Sequence, residues 1–267
     1  MKGETTPYKT LSIRISTNGF CFCSYTPSLP DSLRYYFCVP DRKRTMSVNL
    51  QNGIEQCPFI TAGETYEVKV IVDTCEFTTI PIEFDDKQEH YSYYRYCFPK
   101  SPADIQVVAN RMSVQGITVL FPVDKTLYGL LQELGNVSFY SPLSILLGLM
   151  TNKIGDTDRY MLAFFQGSLS IYLSMRNGKM QLANAFRSEE EHDNIYYLLN
   201  IWKEQGLSQL DDSLYLCGDR GVEANIMTIG QFIKNCIRLN PNELFASTLL
   251  NKMEGIPFDL QAMILCE

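Results

Sequence analysis

Apolar and polar residues alternate along Leu11-Ser12-Ile13-Arg14-Ile15-Ser16. A period of two predicts a strand with one apolar face. Thr17-Asn18-Gly19 reads as a turn, because Asn and Gly tolerate positive φ, and Phe20 to Tyr25 follows as the hairpin partner. Arg34 to Val39 predicts a third strand, ended by Pro40, and a short helix follows around Val48 to Gln56. Tyr66 to Asp73 predicts a strand, and Phe77 to Phe84 is extended, with Pro81 marking an edge. Asp85 to Tyr96 predicts a helix with tyrosines on one side. Asp104 to Met112 and Gly116 to Phe121 predict two more strands. Asp124 caps a helix whose apolar stripe is Leu127, Leu130, Leu131 and Leu134, with Gly135 at its end. Val137 to Tyr140 is a short strand, and Ser141-Pro142 opens a further helix.

After the polar stretch Asn152 to Asp158 the opening order returns. Tyr160 to Phe165, Ser168 to Ser174 and Lys179 to Phe186 predict three strands, joined at Gln166-Gly167 and Asn177-Gly178. Ser188 with Glu191 reads as a capping box for a helix carrying Ile195, Leu198, Leu199 and Trp202 on one face. Leu214 to Gly218 is a buried strand. A helix over Glu223 to Phe232, a strand over Cys236 to Leu239 and a closing helix from Asn242 complete the chain. Strand–strand–strand–helix–strand thus occurs twice, from Leu11 and from Tyr160, without sequence identity between the copies. Repetition of order is a fold-level signal. The expected organisation is a first half over 1–151 with an inserted helix–hairpin segment, a linker over 152–158, and a second half over 159–267.

Composition narrows the chemistry. Net charge is −7 over 267 residues, a sign that repels phosphate backbones, so nucleic acid is not an expected partner. Arg42-Lys43-Arg44 reads as a solvated turn. The nine cysteines are odd in number and contain no CxxC pair, which fits free buried thiols in a reducing compartment. The polar start and the short, interrupted apolar run Leu143 to Met150 argue against a signal peptide and against membrane insertion. Together these features place the protein in the cytoplasm. The two histidines, His90 and His192, lie in acidic runs that read as solvated helix starts rather than metal clusters. No GxSxG, P-loop or HExxH is present. A ribonuclease-H-type nuclease would need several acids on the first strands, which lack them.

The duplicated order resembles the actin-like (ribonuclease-H-like) ATPase superfamily, and its pilus-assembly branch in particular. Ile80-Pro81-Ile82-Glu83-Phe84, a helix, the hairpin over Asp104 to Phe121, a helix, a strand and Ser141-Pro142 follow that branch's order over about residues 10–240. The resemblance implies an α/β fold of two mixed β-sheets flanked by helices. It also implies a cleft between the halves, where such enzymes hold Mg-nucleotide with an acid at the end of each first strand. Mg²⁺ favours charged oxygen ligands. Here those positions fall on or near Ser16, in Ile15 to Gly19, and in Ala163 to Gly167, without an acid, and the adenosine-side glycines reduce to Gly218-Asp219; the cleft residues are Ser16, Thr17, Asn18, Gly19, Gln166, Gly167, Ser168, Gly218 and Asp219. The expectation is a vestigial cleft with no catalytic residues, no metal and no cofactor, and a binding or scaffold role toward a protein or peptide partner. The pilus-assembly relatives bind a short peptide of a membrane partner. The alternative is a divergent Mg-ATP-binding or kinase-like protein using Asp219 or Asp73. Tyr91, Tyr94 and Arg95 are the candidate partner surface, with Tyr93 and Tyr96 spaced to pack on a sheet.

Overall fold

The computed structural model describes residues 9–26, 29–61, 63–64, 66–153, 159–188, 191–218, 226–240, 244 and 255–265. The first three strands are β1 (Thr10–Ser16), β2 (Gly19–Thr26) and β3 (Leu29–Cys38). After helix α1 (Met46–Gln56) comes β4 (Tyr66–Val72), parallel to β1. An inserted unit follows: β5 (Thr78–Pro81), α2 (His90–Cys97), β6 (Ile105–Met112) and β7 (Ile117–Asp124). Helix α3 (Lys125–Gln132), β8 (Gly135–Tyr140) and α4 (Pro142–Lys153) lead to the second copy. That copy contains β9 (Arg159–Gln166), β10 (Leu169–Arg176), β11 (Lys179–Arg187), α5 (Glu191–Glu204), β12 (Ser213–Gly218) and β13 (Asn235–Arg238). A helix α6 (Phe258–Leu265) follows.

The two large sheets have the same order, β3-β2-β1-β4-β8 and β11-β10-β9-β12-β13, and β5-β7-β6 form a small antiparallel sheet. In each large sheet a meander supplies three antiparallel strands and a crossover adds parallel ones. Local signals set these joints. Asn177 and Gly178 both hold positive φ, 50° and 70°, the requirement of a two-residue hairpin turn. Asp124 caps α3 by accepting from the N–H groups of Thr126 and Leu127. Pro81 lies on the edge strand β5.

The main core fills the space around both sheets. β9 shows how one strand serves two layers. Tyr160, Leu162 and Phe164 face the shared core, while Met161, Ala163 and Phe165 face a second core under α5 with Leu198 and Trp202. α4 is apolar nearly all round and its Leu143, Leu146, Leu147, Leu149 and Met150 are buried, as expected of a helix packed over most of its circumference. α6 packs against α4, β1 and β12, so it touches both sheets.

Three expectations change. The helix expected over Asp85 to Tyr96 is only α2; a 3₁₀ turn (Ile82–Phe84) and further turns precede it, because Asp85 is drawn out of the helix by side-chain partners described below. Tyr93 is half-buried, but Tyr96 is 89% exposed and does not pack, and Tyr94 is the buried ring. Among the described residues the thiols are free as expected, yet not all are buried, since Cys97 is exposed. The Glu191 side chain of the Ser188–Glu191 capping box, most of the Asn152–Asp158 stretch and the start of the closing helix at Asn242 lie outside the described residues.

Candidate functional site

The carboxyl ends of β1, β4, β9 and β12 meet between the two halves, the end of an α/β sheet where ligands bind. Ser16, Asn18, Gln166 and Gly167 come together there and line a cavity of about 290 Å³. Thr17 is exposed. Ser168 lies beside the neighbouring strand, where its carbonyl accepts from Ser188 N–H at 2.9 Å. Gly19 sits at the start of β2, paired with Ser16. Gly218 pairs with Phe165, one residue from Gln166. Asp219 lies outside the described residues. The two turns nearly touch: a Cβ added at Gly167 would fall 2.7 Å from Asn18 Nδ2.

The residue that organises this place is Arg14, which the sequence reading passed over. It lies on the face of β1 shared with Ser12 and Ser16, and it is 3% exposed. Its Nε lies 2.9 and 2.8 Å from the two carboxylate oxygens of Asp259 on α6, which is wholly buried. Its Nη2 lies 3.3 Å from Asp73 Oδ2. Asp73 follows β4 and donates its backbone N–H to the Ile15 carbonyl at 2.9 Å, which fixes it beside the end of β1. From the second half Arg187 Nη2 reaches Asp73, 2.9 Å to Oδ1 and 3.0 Å to the carbonyl. Burial opposes the Arg14 charge, but Asp259 and Asp73 outweigh it and hold its pKa above the ordinary value. Burial pushes Asp259 upward, with Arg14 and the Leu260 N–H opposing. A signal for Arg14 did exist: a charge inside an apolar strand flanked by strands on both sides requires a buried counter-charge.

Other candidates resolve into structural roles. Tyr94, expected on a partner surface, is buried with its hydroxyl against Glu76 and Ser101. Arg95 donates to the Ser101 carbonyl and lies 5.9 Å over the Tyr91 ring, leaving Tyr91 as the exposed member. The acidic run at His90 is not merely solvated: Asp85 accepts from Thr118 at 2.9 Å and lies 2.7 Å from His90 Nε2. The His192 side chain lies outside the described residues. Burial pushes the thiols of Cys21, Cys23 and Cys217 up, so they are not thiolates at neutral pH. Among the described residues no group of side chains has the make-up of a metal site, and no helix is long and apolar enough to cross a membrane.

A larger cavity, about 560 Å³, opens between β6, β8, α4 and α6. Each of its two strands is the edge of its sheet. Asn110 ties them together: its Nδ2 donates to the Phe139 carbonyl at 2.8 Å, and its Oδ1 accepts from Ser141 N–H at 3.3 Å. Val108, Ile145 and Met263 give the walls an apolar character, while Lys69 and Arg111 add cationic groups.

Duplicated sheets of this order around an inter-half cleft define the actin-like ATPase fold. Residues 1–236 match the family described as protein of unknown function (DUF3822), and the chain belongs to that family. It is similar to a Bacteroides thetaiotaomicron VPI-5482 protein with actin-like ATPase fold and unknown function: TM-score 0.81, 25% identity, covering 100% of this chain and 99% of that one. The PilM–PilN type IV pilus biogenesis complex contains a chain of the same fold, at TM-score 0.59 and 12% identity, with 98% of each chain covered. No curated protein sequence matches.

Proposed function

We propose that this chain is a non-catalytic actin-like protein that serves as a binding module for a protein or peptide partner. The Arg14 network carries this reading. In the fold it resembles, the space between the two turns takes Mg-nucleotide. Here a guanidinium lies beside that space, Asp259 is bound to it, and Asp73 is held by two arginines. Both carboxylate oxygens of Asp73 already face a guanidinium, so a cation there would sit against two positive charges, which weakens the alternative of a divergent Mg-ATP site. The cavity left between the turns, about 290 Å³, lies at the low end of small-molecule sites, roughly 300–1,000 Å³.

A nucleotide titration followed by thermal unfolding tests this reading. A ligand at about 100-fold its Kd stabilises by about 2.7 kcal/mol, a rise of several degrees. Mg-ATP is expected to leave Tm unchanged. A Mg-dependent rise lost in Gly167→Val would overturn the reading.

In this reading the partner's segment would lie in the groove between β6 and β8. PilM, of the same fold, is found in complex with PilN, and this groove is roomier than the cleft cavity, with edge strands on two sides. Edge strands offer unpaired backbone groups to an extended segment. Gly148 on α4 lines the groove, and a Cβ built there meets no atom within 4 Å. Gly148→Trp therefore fills the groove with little disturbance to the helix. Capture from native lysate should return a stoichiometric partner with the wild type and lose it with Gly148→Trp. A partner retained equally by both proteins, or none with either, rules out this placement.

A further inference from the structure

Helix α6 takes part in both the cleft and the groove. Asp259 in its first turn holds Arg14, and Gly255 and Pro257 just before it line the cleft cavity. Tyr35 Oη, from the first half, donates to the Gly255 carbonyl at 3.4 Å. One turn further along, Ala262 and Met263 line the groove, where α6 packs on α4. At 1.5 Å rise per residue, Asp259 and Met263 lie about 6 Å apart along the axis. They belong to one hydrogen-bonded helix and move together.

Asp259 is wholly buried, so a displaced α6 stretches a charge pair that has no water to turn to. Arg14 shares Asp73 with Arg187 of the second half. A continuous path of bonded groups therefore runs from Met263 through α6, Asp259, Arg14 and Asp73 to Arg187. Arg187 is about a third exposed, whereas Arg14, Asp73 and Asp259 are nearly or wholly buried. The path gives most easily at Arg187.

We infer that α6 couples occupancy of the groove to closure of the cleft. A segment seated in the groove presses on Ala262 and Met263, and the shift passes through Asp259 and Arg14 to the Asp73–Arg187 bridge. The inference rests on the groove being the partner site. Coupling of this kind is reciprocal, so loosening the bridge is felt at α6.

A double-mutant cycle on the full chain tests the coupling without a partner. Gly148→Trp stands in for an occupant, and Arg187→Ala opens the bridge. The two positions share no bonding partner, so if they are independent their effects on the unfolding equilibrium constant multiply. The expected result is a departure from the product of about fivefold or more. Amide exchange over residues 258–265 should also quicken about tenfold in Arg187→Ala. Arg187→Lys keeps the charge without the two-pronged grip and serves for the same cycle if the alanine variant does not fold. A product that holds within about twofold, with exchange over 258–265 unchanged, overturns the coupling. An additive cycle beside a partner captured at the groove rejects only the coupling. A coupled cycle with no captured partner rejects only the binding reading.

Discussion

Arg14→Met is expected to lower stability by about 3–5 kcal/mol, because it strands Asp259 as an uncompensated buried charge. The side chain it removes is 4% exposed and contacts two carboxylates from different parts of the fold. Methionine fills similar volume, so little of the loss comes from a cavity. The double variant Arg14→Met with Asp259→Leu removes the charge on both sides and should regain most of the loss, since replacing a buried pair by apolar groups is often neutral. Arg14→Lys should stay well below wild type, because a point charge cannot reproduce the guanidinium's reach to both Asp259 and Asp73. Urea unfolding reads all three variants. The losses should change little with added salt, since buried pairs are weakly screened. A cost under about 1 kcal/mol for Arg14→Met, the range of exposed pairs, would show that this network does not hold α6 in place.

Gly218→Ala is expected to cost more than the roughly 1–3 kcal/mol that backbone strain alone sets, because a backbone clash adds to it. Gly218 ends β12 at φ 126°, which side chains rarely adopt. A Cβ there would lie 1.8 Å from the Phe165 carbonyl oxygen and 2.6 Å from its carbon. Both are backbone atoms of the central strand β9, so no rotamer change relieves the clash. β12 must shift along β9 or separate from it, which loosens Leu214 and Leu216 in the second core. Urea unfolding measures the loss, and the far-ultraviolet spectrum should stay native until the transition. A loss under about 1 kcal/mol would mean that the end of β12 is free to move.

Much of the architecture is legible in the amino-acid sequence. Asn177-Gly178 and Gln166-Gly167 marked the joints of the second meander, Asp124 marked a helix start, and the two copies followed one order. These are local rules, in which a residue's own φ preference or side-chain oxygen acts within a few positions. The same rules put Ser16, Asn18, Gln166 and Gly167 at strand ends, and strand ends converge in such a sheet. They failed at Tyr94, since which tyrosine of α2 turns inward depends on Glu76 and Ser101, and only the fold sets those beside it. They failed also at Asp85, whose partners Thr118 and Arg111 come from another strand.

The sequence by itself determined the two halves, their strand order, the turns between them and the lack of acids in the first-strand turns. Period, propensity and turn chemistry are short-range, and they act wherever the chain goes. Tertiary structure alone decided what occupies the space between the halves. Arg14 and Asp259 are 245 residues apart, and nothing local to either names the other. Only when α6 packs across β1 and β12 do burial and charge force the pair together.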